Sequence, residues 1–242
     1  MSHQHPALAA TMELVADVEG WMSPCQGPTL FDSAVNCPDG GAIVEIGSFR
    51  GRSTIVLATA ADPSVQIVAI DPHAGNDRGP QEIDGFEDEA ADDHGVFTAN
   101  LAAAGVADRV RHIREFSDAA LDVVHDEVDV LYIDGAHRYA PALADIRAWG
   151  ARVGDGGTML IHDSFSSIGV TLAIVRSLVF GGRFRYVGRA RSMTIYRADL
   201  PANAPARLRN AGRQLAQLPW FVKNVALKVL ISLKLVKAEW PY

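Results

Sequence analysis

The chain has 242 residues, 48% hydrophobic and 21% charged, which is enough for one sizeable core without disulfide staples. A net charge of −7, with Cys25 and Cys37 in no metal-knuckle or CxxC spacing, argues against a nucleic-acid backbone binder and against a disulfide framework. The charge is uneven: from Ala202 onward seven basic residues stand against Glu239 alone, so that segment carries +6 and the rest −13.

The start, MSHQHPALAA, lacks a basic region followed by an apolar core, so no export signal is expected, and the two thiols read as ordinary ones in a reducing cytoplasm. His3 and His5 are expected in an exposed terminus. Leu8, Met12, Val15 and Val18 fall on one helical stripe, and CQGPTLFDSAV suggests a second short helix. Residues 1–29 are thus expected to form a helical cap. After the loop CPDGG the pattern alternates: strand AIVEIG, helix STIVLATAA, strand VQIVAID, helix GVFTANLAAAG closed by Gly105, and strand VRHIREF. Strand VDVLYID, helix APALADIRAWGARV, strand GTMLIHD after the Gly156–Gly157 turn, and helix IGVTLAIVRSLVF follow. RFRYVGRARSMTIYRA reads as two closing strands with Gly188 at the bend. Seven strands alternating with helices predict an α/β fold: a Rossmann-like, doubly wound, mainly parallel sheet with helices on both faces. Ligands then bind at the carboxyl ends of the strands, where the strand order changes.

Those ends carry acids: Glu45, Asp71, Asp134 and Asp163. Carboxylates gathered on one rim repel one another, and a bound cation is the simplest compensation. Gly47 and Gly51 bracket the first turn in neither the G-x-G-x-x-G nor the G-x-x-x-x-G-K pattern, which disfavours a nicotinamide dinucleotide and a nucleoside triphosphate. Asp71, at the end of the next strand, can accept both hydroxyls of a ribose. The pair describes a site for an adenosine-type cofactor without a pyrophosphate.

VEIGSFRGRSTIVLA, VAIDPH, DVLYIDGAH and GGTMLIHDSF together resemble class I S-adenosylmethionine-dependent methyltransferases over residues 30–200. The resemblance implies that Glu45, Gly47, Ser48, Gly51 and Ser53 hold the methionine part of the cofactor and Asp71 its ribose. It puts the adenine near Phe116 and Ser117; Asp118 reads equally as a helix cap. IDGAH followed by HDSF is similar to metal-dependent O-methyltransferases of macrolide sugars. That likeness implies magnesium or another divalent cation at Asp134 and Asp163, with His137 as general base. His162 stands where the sugar enzymes carry an acid: magnesium on the two carboxylates plus waters is preferred, with His162 as a third candidate ligand for a softer metal, or as a packing residue only, as the alternatives. Alone, His137 would read as a loop histidine; beside Asp134 and Asp163 the catalytic reading is preferred. Tyr139 reads as packing at a helix start, and His73 is left even between site and structure.

The expected partner is a hydroxyl-bearing small molecule or saccharide, and no nucleic acid. Residues 74–96, with eight acids against Arg78, are expected as a solvated lid. Residues 201–242 are expected as a basic amphipathic helical tail, with Val222, Val225, Ala226, Val229, Leu233 and Val236 on one stripe. The tail reads as a membrane-surface helix or as a packing helix, and packing, including a homodimer contact, is preferred. A phenolic or catechol acceptor, a nicotinamide-dependent reductase and a non-catalytic interaction module remain as alternatives.

Overall fold

In the computed structural model, which describes residues 6–75, 87–124 and 127–236, seven strands form one sheet in the order β3-β2-β1-β4-β5-β7-β6. They are β1 (Ala42–Ile46), β2 (Gln66–Ile70), β3 (Val110–Ile113), β4 (Val128–Ile133), β5 (Val153–Ile161), β6 (Arg185–Ala190) and β7 (Met193–Arg197). β1 to β5 are parallel, and β7 runs antiparallel to both its neighbours. Every residue of β1 is buried, as expected of a strand covered on both faces. Alternate residues serve opposite cores. Val44, Val68, Leu131 and Ile161 pack on one face, and Ile43, Ile67, Val130 and Leu160 on the other.

Helices α1 (Pro6–Leu14), α2 (Gln26–Val35), α3 (Arg52–Ala60) and α4 (Glu87–Ala103) cover the second of these faces. α5 (Ser117–Ala120), α6 (Tyr139–Ala148), α7 (Ile168–Ile174) and α8 (Ala204–Leu215) cover the first. The doubly wound, mainly parallel architecture is therefore as expected. Cys25 and Cys37 are free thiols. No described helix is long and apolar enough to cross a membrane.

Four local expectations need correction. α1 stops at Leu14, although Val15 stays buried and Val18 packs against the core beyond the helix. The helix expected from Gly95 starts earlier, at Glu87. Asp77, Glu82 and Asp84 of the expected lid lie outside the described residues, as do His3 and His5. Gly188 is not the hairpin bend: it falls at a register shift inside β6, and the turn is made by Arg191, at φ 51°, and Ser192.

The fourth correction concerns α9 (Leu218–Ser232). Val222, Val229 and Leu233 of the expected stripe are 63%, 51% and 62% exposed. The opposite side faces the domain, where Trp220 and Phe221 pack on the core and Asn224 is buried. Polar anchors set this rotation. The Asn224 amide donates to the Phe165 carbonyl at 3.1 Å, and the Arg189 guanidinium lies 3.8 Å from the Trp220 ring centroid.

Candidate active site

The strand order reverses between β1 and β4, and a crevice opens over their carboxyl ends. β1 turns away at Gly47, φ 86°, where a Cβ would lie 2.2 Å from the Asp134 carbonyl oxygen. The two turns can meet only because this residue has no side chain. Gly169 repeats the device on α7: a Cβ there would lie 2.2 Å from the His137 carbonyl oxygen.

At one end of the resulting cavity, about 310 Å³, stand Gly47, Asp71, Phe116 and Ser117. The two oxygens of Asp71 accept the backbone N–H groups of Phe49 and His73, each at 2.8 Å. Phe49 and His73 have φ of 44° and 46°, a region that L-residues occupy at a cost of about 1–3 kcal/mol each. The carboxylate and the bond from His73 Nε2–H to the Phe49 carbonyl, 2.8 Å, hold them there. Glu45 lies behind this wall, fully buried, with the hydroxyls of Ser53 and Thr54 donating to its two oxygens. Burial pushes its carboxyl up to about 7 in spite of those bonds. Ser48, Gly51 and Ser53 likewise form the turn and the start of α3 without lining the cavity.

At the other end, Asp134, His137, His162 and Asp163 come together from the ends of β4 and β5. His162 Nδ1 lies 2.9 Å from Asp134 Oδ1, and His137 Nε2 lies 3.3 Å from Asp163 Oδ2. Burial acts to lower the His162 imidazole, but Asp134 and Asp163 outweigh it and bring it up to about 9. Tyr132 donates its hydroxyl to the other Asp134 oxygen at 2.8 Å.

A divalent cation fits this donor set. Asp134, His137 and His162 each offer a ligating atom within 4.8 Å of the others. The buried His162 Nε2 and Asp163 Oδ1 have no hydrogen-bond partner among the described residues. A carboxylate with two imidazoles suits a softer ion than magnesium. The grouping takes in His137 where the sequence suggested Asp163, because Asp163 sits in a left-handed turn at φ 52° that aims Oδ2 at His137.

A family model described as a methyltransferase domain matches residues 44–164, half of the chain. The chain belongs to that family. Solved structures agree on the fold. Cofactor-bound Rv0187 from MTB is 21% identical with a TM-score of 0.54, over 82% of this chain and 92% of that one. The O-methyltransferase from Bacillus cereus in complex with SAH is 16% identical, TM-score 0.52, over 81% and 91%. The O-methyltransferase NovP is 16% identical, TM-score 0.57, over 72% and 80%.

The cavity of this methyltransferase is also lined by residues that the sequence did not single out. Trp21 and Phe49 line the cavity mouth with ring centroids 4.9 Å apart. Arg50 ties the loop before α2 to α4 through Glu19 and Asp93. Asp145 lines the cavity from α6, and burial raises its carboxyl to about 6 although the Ser117 hydroxyl donates to it. Its signal was available: Ala142, Asp145, Ile146 and Trp149 share one helix face, with a single acid among apolar residues. Tyr139, 41% exposed, opens α6.

Proposed function

We propose that this methyltransferase moves the methyl group of S-adenosylmethionine to a hydroxyl oxygen, that of a sugar or similar polyol, with a divalent cation held by Asp134 and His162 and with His137 kept for the proton. One observation carries the reading: a single cavity has Gly47, Asp71 and Phe116 at one end and Asp134, His137 and Asp163 at the other. Asp71 would take the ribose hydroxyls with the lone pairs left by its two backbone bonds. Phe116 and Ser117 would face the adenine, with Asp145 beside them. Glu45, Ser48, Gly51 and Ser53 would serve the cofactor by shaping the turn.

In the reaction the acceptor oxygen attacks the methyl carbon as the carbon–sulfur bond breaks, and the sulfonium becomes a neutral thioether. The hydroxyl proton passes to His137, whose Nε2 lies 3.3 Å from Asp163 Oδ2. Tyr132 and His162 hold Asp134 in place from both oxygens. A bound cation would supply a lowered hydroxyl pKa. The remaining acceleration is alignment of oxygen, carbon and sulfur. The SAH bound to the O-methyltransferase from Bacillus cereus, and the fold shared with the O-methyltransferase NovP, support this direction.

Calorimetry tests the reading. S-adenosylhomocysteine should bind and NAD should not; the reverse result would end it. Chelation should remove turnover with a sugar acceptor, and manganese should restore it more fully than magnesium. Full activity in the chelated protein would leave the cofactor assignment standing and reject the metal.

A further inference from the structure

α9 is docked by one side only. Trp220 and Phe221 pack on the core, Asn224 is buried, and Lys228 also turns inward, half-buried in the field of the Asp163 carboxylate. The side that faces away from the domain is apolar. Val222, Val229, Leu230 and Leu233 are exposed there, and Leu235 and Val236 continue the exposure past the end of the helix. A helix that merely covers its own domain turns its apolar residues in and its polar residues out. On α9 apolar residues occupy both sides, and an outward apolar strip of this kind marks a surface that something else covers.

The charges around the strip indicate what that is. Lys223 on α9 and Lys234 just beyond it are exposed, as are Arg207 and Arg209 on the preceding α8. Residues 202–236 carry Arg207, Arg209, Arg213, Lys223, Lys228 and Lys234 and no acid. A second copy of the chain would meet this surface badly: a two-fold contact sets a patch against itself, and here that brings two basic segments together. An anionic lipid surface suits both features, since acidic headgroups attract the lysines and the acyl boundary takes up the valine and leucine side chains. No described helix is long and apolar enough to cross a membrane, so α9 would lie along the surface. Val229 and Leu233 also wall a second cavity, about 650 Å³, which reaches His137 and Asp163. The strip is therefore continuous with the end of the site that holds the base.

We propose that the outward side of α9 docks on an anionic bilayer, with Val222, Val229 and Leu233 entering the boundary between headgroups and acyl chains and Lys223 and Lys234 facing acidic headgroups. Docked in this way, the chain presents the mouth of the second cavity to the lipid. The proposal does not depend on the methyl-transfer reading, because docking is measured without turnover.

The full chain is sedimented with vesicles of phosphatidylcholine alone or of phosphatidylcholine mixed with phosphatidylglycerol. The mixed vesicles should bind it and the neutral ones should bind it at least about 10-fold more weakly, with added salt weakening the binding to the mixed vesicles. Lys223→Gln combined with Lys234→Gln should weaken binding to the mixed vesicles about 30-fold, the worth of two lysines at a charged surface. Val222→Ser combined with Leu233→Ser should weaken it by about 10-fold or more, with an unaltered circular dichroism spectrum. Binding that survives the serine pair would be general charge attraction and would overturn the proposal, as would no binding to the mixed vesicles. A dimer in sedimentation velocity that the serine pair splits into monomers would overturn it too, because the strip would then be a contact between copies of the chain.

Discussion

At the Asp71 end of the cavity, polar atoms are tied to backbone; at the Asp134 end they are tied to one another. Asp71 is fixed by two main-chain amides, and Glu45 behind it by two hydroxyls of α3. Asp134, His162, His137 and Asp163 instead form two facing acid–imidazole pairs from adjacent strands. The first arrangement stores a shape, and shape suits a cofactor that is the same in every turnover. The second stores charge, which can be redistributed when a proton or a cation arrives. If this contrast is real, damage at either end should show in different measurements.

The largest effect is expected at the charged end. His137→Ala should lower turnover by about 10²–10⁴-fold while S-adenosylhomocysteine affinity changes little. A comparable loss of cofactor affinity would mean that the two ends are one unit. Next comes Glu45. Its carboxyl is raised from 4.5 to about 7, so the folded chain keeps a proton that the unfolded chain releases. The stability it contributes is fully present below about pH 4.5 and lost as the pH rises through about 7, a loss of about 3 kcal/mol. Glu45→Gln should flatten that decline in urea unfolding measured across the interval; an equally steep decline in the variant would show that another group is responsible.

Asp71→Asn should cost about 10-fold in S-adenosylhomocysteine affinity, because one amide nitrogen then faces a backbone donor. It should leave the cation affinity of the charged end unchanged by calorimetry; a joint loss would erase the distinction between the ends. The smallest effect is expected outside both. Val222→Ser on the exposed side of α9 should shift unfolding free energy by less than about 0.5 kcal/mol. A large destabilisation would mean that this side is packed in solution, against a second copy of the chain.

The same contrast explains what could be read from the sequence. β1, β2, β4 and β5 announce themselves as apolar runs ending in acids, since a parallel strand buried on both faces has no room for polar residues except at its end. That signal gave Asp71, Asp134 and Asp163, and all three line the cavity. Glu45 carries the same signal but sits one layer back, because residue order along a turn does not say which side chain faces the ligand. Asp145 and Lys228 come from helices, where membership of the site depends on how the helix is rotated and docked. For α9 that rotation follows from Asn224 and Trp220 meeting Phe165 and Arg189, contacts between residues about 30–60 positions apart that no local periodicity contains.

Gly47 and Gly169 carry a lesson for anyone mapping this protein by alanine scanning. Such scans look for functions that vanish when atoms are taken away. At these two positions there is nothing to take away, and the single carbon added would strike the carbonyl oxygens of Asp134 and His137. The scan would then report two side-chain-free residues among its most sensitive positions, although neither can donate, accept or carry a proton through a side chain. In this site, emptiness is a component with a fixed address, and a design that fills it displaces the acid and the imidazole.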